Sequence, residues 1–214
     1  MTQILLMNPN RNARTTMAMC AIAARILPEA PLGWTATRAP LLIATPRALE
    51  LAAREVADAE IADWPSAIIV AAFGDPGAER LGGRAPCPVI GIGAAAARAA
   101  SHDGEAFAVA TTTPALSTLI DDLMQRHGAR GRYAGCFCST DDPASLMSDS
   151  QSLDTALLGQ IENARRAGAR HVIVGGGPLG EAAERLRDRA PVNLINPVLS
   201  AAREAAILLE TCND

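Results

Sequence analysis

Short runs of aliphatic and β-branched residues alternate with Ala-rich helical stretches along this 214-residue chain. Strand patterns fall at residues 4–7, 32–37, 67–73, 89–92, 107–111, 133–138, 171–174 and 192–195. Helical patterns fall between them, at 15–27, 46–59, 115–127, 153–167, 180–189 and 198–211. Such alternation predicts an α/β fold of parallel strands joined by right-handed crossovers. Gly104, Gly128 and Gly168 follow helical patterns where left-handed C-caps are expected.

An internal repeat narrows this further. Val70-Ala-Ala-Phe-Gly-Asp-Pro ends a strand, opens a helix and leads to Arg84-Ala85-Pro86 before the next strand. Val174-Gly-Gly-Gly-Pro does the same and leads to Arg189-Ala190-Pro191. The two Val positions lie 104 residues apart and the two Arg-Ala-Pro triplets 105 apart, so one loop residue absorbs the difference. The period is too long for a solenoid and reads as duplicated βα units. The expected architecture is two pseudo-symmetric open parallel-sheet lobes, with helices on both faces and a ligand cleft between them. The first lobe would comprise residues 1–98 plus 196–214, and the second residues 99–195.

Composition agrees with a buried parallel sheet. Hydrophobic residues make up 49% of the chain and aromatic residues only 3%, leaving Ala, Val, Ile and Leu to fill the core. The formal charge of −4, with arginines scattered among acids, argues against a nucleic-acid partner. No apolar run approaches the length of a membrane span. The opening MTQILLMNPN reads as a strand and not a signal peptide, so a cytoplasmic address is expected. The five cysteines (Cys20, Cys87, Cys136, Cys138 and Cys212) include no CxxC pair, so neither a disulfide framework nor a metal site is expected. Cys136 and Cys138 share one face of a strand, as packed free thiols or as a functional pair. Residues 139–152, rich in Ser and Asp, read as a long surface loop, either plain or a lid over the cleft.

Open α/β sheets bind ligands beyond the carboxyl ends of their strands. Four such ends are polar or glycine-rich turns that open helices: Asn8-Pro9-Asn10, Ala72-Phe73-Gly74-Asp75-Pro76-Gly77, Thr111-Thr112-Thr113-Pro114 and Gly175-Gly176-Gly177-Pro178. Turns of this kind present backbone N–H groups at the positive end of a helix dipole. Asn10, Asp75 and Thr113 also suit ordinary N-capping.

The Asn8-Pro9-Asn10 opening, the Ala72–Gly77 turn, the Pro88-Val89-Ile90-Gly91-Ile92-Gly93 strand and residues 107–114 resemble the aspartate/glutamate/hydantoin racemase superfamily, and within it the hydantoin and allantoin racemases. The resemblance covers nearly the whole chain and is weakest over residues 133–152. It implies a cofactor-free, metal-free enzyme of isomerase type, assembled as a homo-oligomer, acting on the α-carbon of a small cyclic amide, amino acid or dicarboxylate. It also implies proton transfer by two cysteines that face each other across the cleft. Carrying the family motif over puts those cysteines at Ala72 and Gly176, 104 residues apart like the repeat itself. Neither residue can carry a proton.

Asp75, beside Ala72, is the remaining acid/base candidate. Substrate would be held by Asn8, Asn10, Phe73, Gly74, Thr112, Thr113, Gly176, Gly177 and Pro178, the N–H groups around Phe73-Gly74 and Gly177-Pro178 receiving an oxyanion. Arg11, where the family usually has a small hydroxyl residue, would pair with a carboxylate. Three functions stay open: an isomerase with a non-cysteine base, a lyase, decarboxylase or hydrolase reusing the oxyanion pocket, and a non-catalytic small-molecule binder. The related arylmalonate decarboxylases keep one of the two cysteines, so the scaffold tolerates altered chemistry.

Overall fold

A parallel strand buried on both faces needs apolar side chains at consecutive positions. β3 (Ala67–Val70) and β5 (Ala106–Thr111) are buried at every residue. In the computed structural model, which describes residues 3–211, each lies inside a four-stranded parallel sheet. The first sheet has the order β2-β1-β3-β4, with β1 at Ile4–Asn8, β2 at Leu32–Thr35 and β4 at Val89–Gly91. The second has the order β6-β5-β7-β8, with β6 at Arg132–Cys138, β7 at His171–Val174 and β8 at Asn193–Ile195. The two orders are the same pattern, so the sequence repeat is a repeat of topology.

Helices cover both faces of each sheet. The first half contributes α1 (Ala13–Ala23), α2 (Pro46–Ala57), α3 (Ala78–Gly82) and α4 (Ile92–Ser101). The second contributes α5 (Ser117–His127), α6 (Pro143–Ser148), α7 (Ser150–Arg166) and α8 (Gly180–Leu186). The last helix, α9 (Pro197–Thr211), packs on α1, α4, β3 and β4 of the first half. Each lobe has its own apolar core. A third cluster joins them: Phe73 and the small face of α4 (Ala96, Ala97, Ala100) pack against Phe107, Val109, Ile120, Met124 and Ile173 of the second half.

Three local expectations need correction. Residues 139–152 are not one loop, because Asp142 and Asp149 are helix caps. Asp142 accepts the Ser145 N–H at 2.9 Å to start α6, and Asp149 accepts the Ser152 N–H at 2.9 Å to start α7. The strands expected at 32–37 and 67–73 stop at Thr35 and Val70, where turns begin. Gly104 and Gly168 adopt positive φ, but Gly128 has φ −101°. Gly128 is glycine for space: a Cβ there would lie 2.3 Å from the Phe107 ring. Cys212 falls outside the described residues.

Candidate functional site

The four turns at the carboxyl ends of β1, β3, β5 and β7 converge between the lobes. Their approach is close enough to dictate residue size. A Cβ on Gly177 would sit 2.5 Å from the Ala71 carbonyl oxygen, and one on Gly175 3.0 Å from the Phe73 ring. The glycine run of the second lobe is therefore where the first lobe's turn fits. Gly176 adds a conformational demand, since its φ of +155° is a value side-chain-bearing residues rarely adopt.

Asn8 holds the first turn together, ties it to α1 and does not line the cleft. It is fully buried, and its NH2 group reaches Asn10 Oδ1 at 3.0 Å, the Asn12 carbonyl at 3.1 Å and Thr16 Oγ1 at 3.0 Å. Asn10 Oδ1 also accepts the Asn12 N–H at 2.9 Å, and Asn10 itself lines the cleft. On the other lobe Thr111 donates to the Gly175 carbonyl at 2.7 Å, tying the end of β5 to the end of β7. Thr112, Thr113, Phe73, Ala72, Gly176, Gly177 and Pro178 share the lining with them. The turns continue into single 3-10 turns at Pro114–Leu116 and Gly177–Leu179, whose first N–H groups lack an intrahelical partner. Pro178 has no N–H and so offers no donor there.

The roof of the cleft comes from two segments that the sequence reading had not placed there. Leu42 and Ile43 reach it from the loop before α2, and Met147 reaches it from α6. The loop is anchored by Glu55, a buried acid on α2. Its carboxylate accepts N–H groups from Thr37 at 2.6 Å, Arg38 at 3.1 Å and Ala39 at 2.7 Å. Burial alone would raise the Glu55 carboxyl, but these bonds outweigh it and hold it below the ordinary carboxylate range. A signal was available: Ala48, Ala52, Glu55 and Val56 form the buried stripe of α2, and an acid on such a stripe calls for partners. Leu116, Ile120 and Leu179 complete an apolar wall, and the cavity has a free volume of about 40 Å³.

Several expected site residues stand elsewhere. Asp75 is absent from the lining. With Gly74 (φ +102°) and Asp75 (φ +50°) both in positive-φ conformations, the turn reverses and sends the carboxylate to the start of α4. There it accepts the Gly93 and Ala94 N–H groups, each at 2.7 Å. Gly91 leaves the room, since a Cβ there would overlap the carboxylate at 2.1 Å. Burial pushes the Asp75 carboxyl up to about 6, against the opposing pull of those two N–H bonds. Asp75 is thus a helix cap turned away from the cleft, and Gly74 leaves the lining with it. Arg11 is exposed and outside the lining, its backbone N–H bound to the Pro40 carbonyl at 3.2 Å. None of Cys20, Cys87, Cys136 and Cys138 lines the cleft. Among the lining residues there is no acid, base or thiol.

A family model described as Asp/Glu/Hydantoin racemase matches residues 4–205. The chain belongs to the Asp/Glu/hydantoin racemase family. It is 26% identical to a hydantoin racemase of Paenarthrobacter aurescens, over 97% of this chain and 91% of that protein. It is 33% identical to a hydantoin racemase of Rhizobium meliloti, over 67% of this chain and 60% of that protein. Among solved structures, the allantoin racemase of Pseudomonas fluorescens superposes with a TM-score of 0.88 and 26% identity, covering 98% of this chain and 92% of that one. A glutamate racemase of Bacillus anthracis shares the fold at a TM-score of 0.66 and 14% identity. The two-lobed fold is that of a racemase family. No helix among the described residues is long and apolar enough to cross a membrane.

Proposed function

We propose that this family member binds a small, uncharged cyclic amide of the hydantoin class between its lobes, and does so without the two-thiol proton transfer implied by the family motif. The observation that carries the reading is the lining. Racemisation needs one group to remove the α-proton and another, on the opposite face, to return it. Ala72 and Gly176 occupy the two facing turns, and the remaining polar side chains around them are Asn10, Thr111, Thr112 and Thr113. Amide and hydroxyl groups donate and accept hydrogen bonds but do not hold a proton in reserve near neutral pH. Asp75 does not supply the missing base, because its carboxylate is committed to α4.

The same lining selects the ligand. With Arg11 outside it and no other cation in it, a carboxylate would enter unpaired, at a cost that disfavours dicarboxylates and free amino acids. A neutral ring bearing amide N–H and C=O groups matches the Thr hydroxyls, Asn10 and the Gly177 N–H, with its ring faces against Phe73, Ile43 and Leu116. The cavity of about 40 Å³ holds only a few waters. A ring of this class is larger than that space, so the lining must open to admit it. Lyase, decarboxylase and hydrolase chemistry meet the same obstacle as racemisation, since each needs a proton donor or nucleophile at the ring.

Calorimetric titration with hydantoin, allantoin and glutamate tests the ligand class. The two cyclic amides should bind, and glutamate should bind at least tenfold more weakly. Tight binding of glutamate with none of either cyclic amide would refute the assignment.

A further inference from the structure

Cys136 and Cys138 lie on β6, an edge strand of the second sheet, outside the cleft lining. In a regular strand residue 133 would share a face with 135 and 137, and the two cysteines would point the other way. The strand departs from that alternation. Phe107 pairs with Tyr133 but Val109 pairs with Cys136, so β6 uses three residues where β5 uses two. The extra residue forms a bulge at Gly135, whose φ is +118°. A Cβ there would meet nothing within 4 Å, so backbone conformation alone requires the glycine.

The bulge brings Tyr133, Cys136 and Cys138 to one face, against α5. Tyr133 donates to Asp121 of α5 at 2.6 Å, and the two Sγ atoms stand 3.6 Å apart, both cysteines keeping partial solvent access. That separation discriminates between two chemistries. A disulfide needs its Cβ atoms about 3.5–4.5 Å apart. Alternate residues of a strand point the same way, so their Cβ atoms stand about as far apart as their Cα atoms, roughly 6.6 Å, and closing a disulfide would contract β6. A tetrahedral thiophilic cation with metal–sulfur bonds of about 2.3 Å places its two sulfurs about 3.8 Å apart, with no contraction.

We propose that Cys136 and Cys138 form a two-thiolate site for a soft, thiophilic divalent cation of the zinc and cadmium class. On binding, each thiol loses its proton to solvent, each sulfur keeps the electron pair that then forms the metal–sulfur bond, and nothing is oxidised or reduced. No group of three or more His, Cys, Asp or Glu able to hold a metal occurs among the described residues. The chain therefore supplies two ligands and solvent the rest, which suits an exchangeable ion and not a closed structural site.

The test is titration of the reduced full-length protein with Cd²⁺, followed by cadmium–thiolate charge-transfer absorption. One equivalent should bind, the signal should vanish in both Cys136→Ser and Cys138→Ser, and it should persist in Cys20→Ser and Cys87→Ser. A measurement that needs no variant accompanies it: Cd²⁺ should protect Cys136 and Cys138 of the wild type from alkylation at least tenfold, read on peptides by mass spectrometry. A one-equivalent signal surviving in either Cys136→Ser or Cys138→Ser, or absence of protection, would overturn the site. So would closure of a Cys136–Cys138 disulfide by glutathione disulfide in a protein that binds no Cd²⁺.

Discussion

Gly176 decides more than any other residue what the cleft can do. Its backbone at φ +155° suits glycine, and a Cβ would press on the Leu179 side chain at 3.0 Å. Gly176→Cys should therefore destabilise the fold by about 1–3 kcal/mol in urea unfolding, so a thiol fits there only with a backbone adjustment. Asp75 gives a prediction in pH. Its folded-state pKa of about 6 lies above the ordinary 3.8, so between those values the folded chain keeps a proton that the unfolded chain has released. This contribution is fully present below pH 3.8 and is lost as pH rises through 6. The chain should gain stability on acidification across that window, by at most about 3 kcal/mol and less for the partial exposure the residue retains. Asp75→Asn should flatten the profile, as read from unfolding midpoints at successive pH values. The sequence disclosed that Ala72 and Gly176 are equivalent positions, because the repeat aligns them. It did not disclose where Asp75 points, because the N–H groups it caps lie 18 and 19 residues away and meet it only once β4 is in the sheet.

Elements were readable wherever one physical signal dominated. Consecutive apolar residues marked β3, β5 and β7, and periodic apolar stripes marked α2, α5 and α7. The signal failed where a polar residue had a structural duty. Asp142 and Asp149 looked like loop composition and proved to be caps. The roof of the cleft went unread for the same reason: Leu42 and Ile43 sit in a loop whose start, at Thr37–Ala39, is held by Glu55, 16 to 18 residues further on. Glu55→Gln would turn an NH2 group toward backbone donors and leave at least one of them unpaired. A loss of about 1–3 kcal/mol in stability is expected, together with weaker ligand binding as the Leu42–Ile43 segment loosens. Denaturant unfolding and calorimetry measure the two effects.

Over the whole molecule, duplication explains the architecture and the opposition of its two glycine- and alanine-bearing turns across the cleft. Two sheets of identical strand order bring equivalent turns face to face, which is the geometry opposed acid/base groups require. The shared core around Phe73, Phe107 and α4 fixes that approach, so the lobes should unfold together in a single calorimetric transition. The lining that results offers hydrogen bonds and apolar contact but no proton carrier. The decisive measurement follows an enantiopure 5-substituted hydantoin in heavy water, with and without the protein, at concentrations that saturate the cleft. Deuterium incorporation and loss of optical rotation should proceed no faster than in buffer while calorimetry shows the ligand bound. Exchange accelerated well beyond the buffer rate, and abolished by a bulky substitution at Ala72, would contradict this reading.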